Sequence, residues 1–214
     1  MTVLVYGDSL SWGLVPGTRR REPERWPRRL ERALADRGVR VVEDCLNGRR
    51  TVFEDPYKPG RNGRVGLAQR IEACSPLGLV ILMLGSNDLQ AMHPHDAWLS
   101  AQGMSVLVDT VRAAPLEPEM PRPSILVVAP PLPRDPEHGV IMRKFVGAPA
   151  KAAGLPEALS DVAREKGCAF FDAGAVVRTS EVDGVHLDRS QHAVLAEALH
   201  PVVARLLDAR ASTP

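Results

Sequence analysis

Five short apolar runs, at residues 3–6, 39–46, 79–84, 124–129 and 169–172, constrain this chain more than any other feature. They are rich in Val, Ile, Leu and Phe and lack polar alternation. A strand with one wet face alternates, whereas runs without alternation suit parallel strands covered on both faces. Stretches with helical periodicity lie between them. Residues 26–37 place Leu30, Ala33 and Leu34 on one side, and Gly38 ends the pattern. Residues 63–74, 96–113, 155–166 and 189–209 read the same way. Five strands alternating with five helices predict an α/β fold, a doubly wound parallel sheet in one domain over residues 1–214. That length suits a single domain with a substantial core.

Two longer connections, 49–64 and 130–149, read as irregular loops opening at the carboxyl edge of the sheet, where α/β proteins bind ligands. They are expected to wall a pocket. Charge excludes some partners. With 27 basic and 26 acidic residues, no global field favours nucleic acid or an anionic membrane. Arg19, Arg20, Arg21, Arg25, Arg28 and Arg29 cluster, but Glu22, Glu24 and Glu31 interleave with them, which reads as a solvated face or a subunit contact. Cys45, Cys74 and Cys168 cannot all pair and form no CxxC, so buried reduced thiols are expected. The start MTVLVYGDS enters a strand directly, with no leader pattern, and no apolar run is long enough to span a bilayer. A cytoplasmic location is the expectation.

The chemistry begins at Gly7-Asp8-Ser9-Leu10, directly after the first strand. A serine in a strand-to-helix turn has its hydroxyl lifted to the sheet edge, where N–H groups of the incoming helix favour negative charge. Gly7 allows the tight backbone such a turn needs. A serine hydroxyl also needs a base, and the base needs an acid to fix its tautomer. Asp183-Gly184-Val185-His186 supplies both in one compact turn before the last helix. Of the other histidines, His192 and His200 fall in a helical pattern with exposed or capping roles expected. His93 and His95 flank Pro94 without a clear third metal ligand, and His138 is isolated in a loop. Only His186 comes with a suitably placed acid.

Acyl transfer develops an oxyanion, and donors aimed at it are commonly the largest catalytic contribution. The Asn87 amide, in Gly85-Ser86-Asn87-Asp88, can donate, as can the backbone N–H groups of Gly48 and Ser9. All three would lie at strand carboxyl ends. Each block alone is also an ordinary turn or helix cap. Asp8 and Asp88 read as turn-holding acceptors.

Together these blocks carry a resemblance. GDS, a glycine after the second strand, GxND after the third and DxxH near the end resemble the four blocks of the SGNH (GDSL-type) hydrolase family, in the family's order, from Gly7 to His186. The flanks GDSLSWG, LNGRRTVFEDP, RNG, LMLGSND, GMSVLV and FFDAG are similar to its bacterial arylesterase and acyltransferase branch. The resemblance implies a flavodoxin-like sheet with the first strand central and a homo-oligomer. It also implies cleavage of short-chain and aryl esters without metal or cofactor. It places the nucleophile at Ser9, the base at His186 and the acid at Asp183, with oxyanion donors Ser9, Gly48 and Asn87. Leu14 stands where a second tryptophan can follow GDSLTWG, and the 130–149 loop shows little match.

Leu10, Trp12, Phe53 and Val185, all near catalytic blocks, are the expected lining of an apolar substrate pocket; Leu187 is a further candidate. The partner is then a small ester, with hydrolysis and acyl transfer to alcohols as variants. A sugar acetylesterase or a thioesterase on the same fold are alternatives, as is a catalytically silent binding module. The 130–149 loop is broken by prolines and carries Arg134, Asp135, Glu137, Arg143 and Lys144, a poor lining for a fatty chain. Small acyl groups are expected.

Overall fold

The computed structural model describes residues 1–135 and 139–211, which leaves Glu137 and His138 outside the described residues. The chain runs β1 (Thr2–Gly7), α1 (Ser9–Trp12), α2 (Trp26–Ala33), β2 (Arg40–Cys45), α3 (Leu67–Cys74), β3 (Leu79–Met83), α4 (Ala97–Arg112) and β4 (Ser124–Ala129). It continues through α5 (Gly139–Phe145), α6 (Ala148–Ala152), α7 (Leu155–Glu165), β5 (Ala169–Asp172) and α8 (Arg189–Ala211). The five strands pair in parallel in the order β2-β1-β3-β4-β5.

Strand alternation sends neighbouring residues to opposite faces, and both faces are covered. Leu4, Tyr6, Val80, Leu82 and Val127 pack against Leu67 and Ile71 of α3, Met104 and Leu107 of α4, and Leu155 and Leu159 of α7. Val3, Val5, Leu79, Ile81 and Val128 meet Trp26 and Leu30 of α2 and Leu195, Leu199 and Val203 of α8. This explains why β1, β3 and β4 lack polar alternation; the edge strands β2, which carries Arg40, Glu43 and Asp44, and β5 are only half-buried. The order reverses direction between β1 and β3, and such a switch point leaves a crevice beyond the strand ends. Ser9 follows β1 and Asn87 follows β3, so the topology brings both to that crevice.

Several expectations need correction. The 130–149 segment is not an irregular loop: α5 lies within it and α6 begins there. The 49–64 segment is irregular but tied down. Arg50 is fully buried and pairs with Asp55 at 2.8 Å, while Tyr6 Oη donates to Gly63 O at 2.8 Å. Helix α2 stops at Ala33, and a one-turn helix at Ala35–Arg37 completes the expected 26–37 span. Helix α3 begins only at Leu67, after Gly66. His192 is buried rather than exposed: its Nδ1 accepts from Trp26 N at 3.3 Å, and burial lowers its pKa to about 4. The three cysteines are free and half-buried rather than fully buried. No helix among the described residues is long and apolar enough to cross a membrane.

Candidate active site

Ser9 is the first residue of α1, a single turn that begins where β1 ends. Asp8 caps it, accepting from Leu10 N at 2.9 Å. Gly7 is needed for contact rather than for an unusual φ: a Cβ there would lie 2.5 Å from Ser11 Oγ. The close approach of α1 to the strand aims the Ser9 hydroxyl at the crevice.

His186 Nε2 lies 3.0 Å from Ser9 Oγ, and its Nδ1 lies 2.7 Å from Asp183 Oδ2. All three residues are buried. The turn itself holds the acid, because Asp183 Oδ1 accepts from Val185 N at 3.1 Å and His186 N at 2.9 Å. A distant segment adds a bond, from Gly17 N to Asp183 Oδ2 at 3.2 Å. Burial alone would raise the Asp183 pKa. The His186 hydrogen bond, the charge of that ring and the two backbone donors outweigh it and hold the carboxyl at about 2. Asp183 is thus an ionised acceptor suited to orient the ring and stabilise its cation.

Gly48 faces the same cavity in the left-handed conformation, φ 85°, which glycine adopts without strain. Asn87 Nδ2 donates to Asp8 Oδ2 at 3.0 Å and to Arg49 O at 3.2 Å. Its orientation is set from behind: Gln90 Nε2 donates to Asn87 Oδ1 at 2.7 Å, and Arg50 Nη2 donates to Gln90 Oε1 at 2.8 Å. Asp8, the acceptor in this chain, has its pKa raised by burial to about 6. Asp88 turns the other way. Its carboxylate accepts from Thr51 N at 3.0 Å, Thr51 Oγ1 at 2.7 Å and Ser100 Oγ at 2.8 Å, locking the 49–64 segment to α4. Both aspartates are buried acceptors, as their turn positions suggested.

A cavity of about 360 Å³ opens over Ser9, Gly48, Asn87 and His186. Its remaining walls differ from the expected set. Leu10 and Leu187 belong to one core cluster and Val185 to the other, because their turns direct those side chains inward. Trp12 lies beneath the Arg21 guanidinium, 5.0 Å from its ring centre, and Phe53 stacks on His95 at 3.7 Å. None of these lines the cavity. Leu14, Thr18 and Arg19 do so from the segment after α1, Lys58 from the 49–64 segment, and Ile141, Lys144 and Phe145 from α5. Sequence reasoning named none of these as lining residues, although it expected the 49–64 and 130–149 segments to wall the pocket, and both do. Gly13 at φ 82° and Gly17 at φ 68° were the available signal that the chain doubles back there; Leu14 bridges to Arg21 in antiparallel fashion.

His93 and His95 stack on each other at 4.9 Å, and no group of three metal-ligating side chains occurs among the described residues.

The family model for GDSL-like lipases and acylhydrolases matches residues 5–204. Among solved structures, the chain is similar to a carbohydrate acetylesterase family member from Sinorhizobium meliloti at 36% identity. That match has a TM-score of 0.91 and covers 97% of this chain and 99% of the other. It is equally similar to the aryl esterase of M. smegmatis, at 36% identity and a TM-score of 0.90, covering 96% and 99%. A second carbohydrate acetylesterase from S. meliloti matches at 32% identity with a TM-score of 0.91, again covering 96% and 99%. No curated protein matches. A match across almost the whole chain, joined to the four blocks at the strand ends, shows that the chain belongs to the GDSL-like lipase/acylhydrolase family.

Proposed function

We propose that the chain is a serine esterase that cleaves small carboxylic esters through an acyl-enzyme. The observation that carries this reading is the continuous line Ser9 Oγ–His186–Asp183, at 3.0 and 2.7 Å, on the floor of a cavity flanked by Gly48 and Asn87. His186 Nε2 takes the Ser9 proton as Oγ attacks the carbonyl carbon, and Asp183 stabilises the imidazolium. The carbonyl oxygen becomes an oxyanion near the Ser9 and Gly48 N–H groups and the Asn87 amide, which exchanges one of its bonds to Asp8 or Arg49 O for the oxyanion. His186 then protonates the departing alcohol. Water, or a second alcohol, repeats the sequence on the acyl-enzyme and releases the acid or a new ester.

The similar structures named as carbohydrate acetylesterases support a small acyl group, and the one named as an aryl esterase supports an aryl leaving group. A sugar ester is the second reading. It is favoured by the hydroxyl of Thr18 and the amides of Asn47 and Gln90 in the cavity wall, since these can bond sugar hydroxyls. We also propose that the chain forms a homo-oligomer, which sedimentation across a concentration series tests.

The test is pre-steady-state release of alcohol from an activated acetate ester. A burst stoichiometric with protein is expected, absent in Ser9→Ala, whose turnover should fall by several decades while the fold persists. If Ser9→Ala kept a tenth of normal turnover, the nucleophile would be another group.

A further inference from the structure

Three cationic side chains line the cavity: Arg19, Lys58 and Lys144. Among the described residues no carboxylate shares the lining with them, and none of the three is in an ion pair. The contrast with their neighbours is what makes this informative. Arg21 and Arg25 pair with Glu43, Arg28 with Glu31, and Arg29 and Arg32 with Glu24. The arginine-rich run is therefore largely neutralised from Arg21 onward, as its interleaved glutamates suggested, while Arg19 lines the cavity. The whole chain has nearly equal charge of each sign, so a one-signed cavity reflects placement rather than composition.

The cations arrive at one cavity from three separate segments, the turn after α1, the 49–64 segment and α5, and Lys144 is close enough to Lys58 for its charge to act there. Lys58 Nζ is anchored on Asn47 O at 3.2 Å, and Arg61 Nε holds the same carbonyl at 3.0 Å. Partial burial and the like charges of Arg61 and Lys144 lower the Lys58 pKa. The nearest acid acting on it, Asp55, is taken up by Arg50 at 2.8 Å. Like charges brought together beside a nucleophile lack an anion.

We propose that the substrate supplies it: the cavity selects esters that carry a second, anionic group, such as a carboxylate, a few bonds from the scissile carbonyl. This rests on the reading of Ser9 as the nucleophile. The anion is bound and not consumed. The bond broken remains that between the acyl carbon and the alcohol oxygen, and water adds across it to give a diacid with an alcohol, or an acid with a hydroxy acid. Arg19, Lys58 and Lys144 hold the anion and thereby select the ester. A cleft of one sign also draws such a substrate in, raising its association rate by about ten- to a thousand-fold at low salt.

The test uses two pairs of esters, each normalised to its uncatalysed hydroxide rate. The first pair is an aryl glutarate monoester against its glutaramate, which differ only in charge on the acyl side. The second is 4-acetoxybenzoate against 4-acetoxybenzamide, which differ on the alcohol side. In at least one pair the anion should be preferred in kcat/KM by on the order of tenfold. Whichever pair responds identifies the side on which the anion sits. The preference should shrink as ionic strength rises through 0.5 M, as screening requires. It should also shrink in Lys58→Met, Lys144→Met and Arg19→Met, scored as the ratio within each pair so that a general loss of activity cancels. Equal or inverted ratios in both pairs would overturn the proposal and leave the esterase standing. So would a preference that all three variants retain. Failure of the folded wild type to cleave any of the four esters would instead remove the esterase reading, and this proposal with it.

Discussion

Asn87 illustrates how much a single side chain depends on its supports. An amide can present either its oxygen or its nitrogen to a cavity, and only the nitrogen can donate to an oxyanion. Gln90 donates to the Asn87 oxygen, Arg50 fixes the Gln90 oxygen, and Asp55 neutralises Arg50, so the choice is made three residues away from the cavity floor. In the proposed mechanism Asn87→Ala should lower turnover with little change in Michaelis constant, because the donor acts most strongly on the developing charge. The loss should be about 2.7–4 kcal/mol. Gln90→Ala should act in the same direction but less, by freeing the amide to rotate. Initial rates across a range of substrate concentrations separate the two constants, and a change confined to the Michaelis constant would reassign Asn87 to substrate binding. At this scale, residues with paired chemical requirements were legible. Asp183 and His186 stand three apart, and a nucleophile needs both. Gln90 was not legible: a glutamine two positions beyond Asp88 carries no periodic or chemical mark, and its role exists only once Arg50 is folded beneath it.

Among elements, α5 matters most to the cavity and was the one least visible in sequence. Prolines at 130, 131, 133 and 136 mask the start of the segment, and the seven residues of α5 span too few turns to establish an apolar face. The long elements, α4 with 16 residues and the central strands, announce themselves by period. The pocket guesses failed for a related reason. Neighbours of a catalytic residue within a tight turn point away from it, which sends Leu10 and Val185 into the two cores. The apolar wall of the cavity instead comes from Leu14, Ile141 and Phe145, which in the proposed mechanism would confine the acyl group. A cavity of about 360 Å³ lies near the small end for ligand sites. Each methylene that fits gains about 0.8 kcal/mol, whereas one that does not costs about 1–3 kcal/mol of strain. The specificity constant should therefore peak between acetate and butyrate in a series of phenyl esters run to octanoate. Phe145→Ala should move the peak to longer chains. A wild-type maximum at octanoate would contradict this.

For the molecule as a whole, buried carboxylates make stability respond to pH in opposing directions. Asp183 has a folded pKa of about 2 against an ordinary value of 3.8. A depressed pKa means the folded state binds its proton less readily, so the stabilisation is complete above pH 4 and is lost as pH falls towards 2. Asp8 and Asp88 are raised to about 6, so they oppose folding once ionised and relax as pH falls through 6. Urea unfolding of wild type and Asp183→Asn isolates the first effect. The stability gap between them should narrow by roughly 1–2 kcal/mol from pH 5 to pH 2.5. A gap that stays constant would mean the His186 and backbone bonds do not favour the ionised form. The fold itself was legible at this scale, because unbroken apolar strands demand cover on both faces. What sequence could not convey was the three-way convergence of Arg19, Lys58 and Lys144, since nothing local distinguishes them from surface charges.

The order of groups along the chain has a consequence of its own. Ser9, Gly48 and Asn87 all precede the connection between α4 and β4, while Asp183 and His186 follow it, and the Ser9–His186 bond spans 177 positions. Opening the backbone in that exposed connection, which includes Glu119 at φ 71°, would place the proposed nucleophile and oxyanion donors on one piece and the proposed base with its acid on the other. Neither piece would hold a working set. Ester cleavage by a mixture of the two would then measure their reassembly, and the protein would serve as its own complementation reporter.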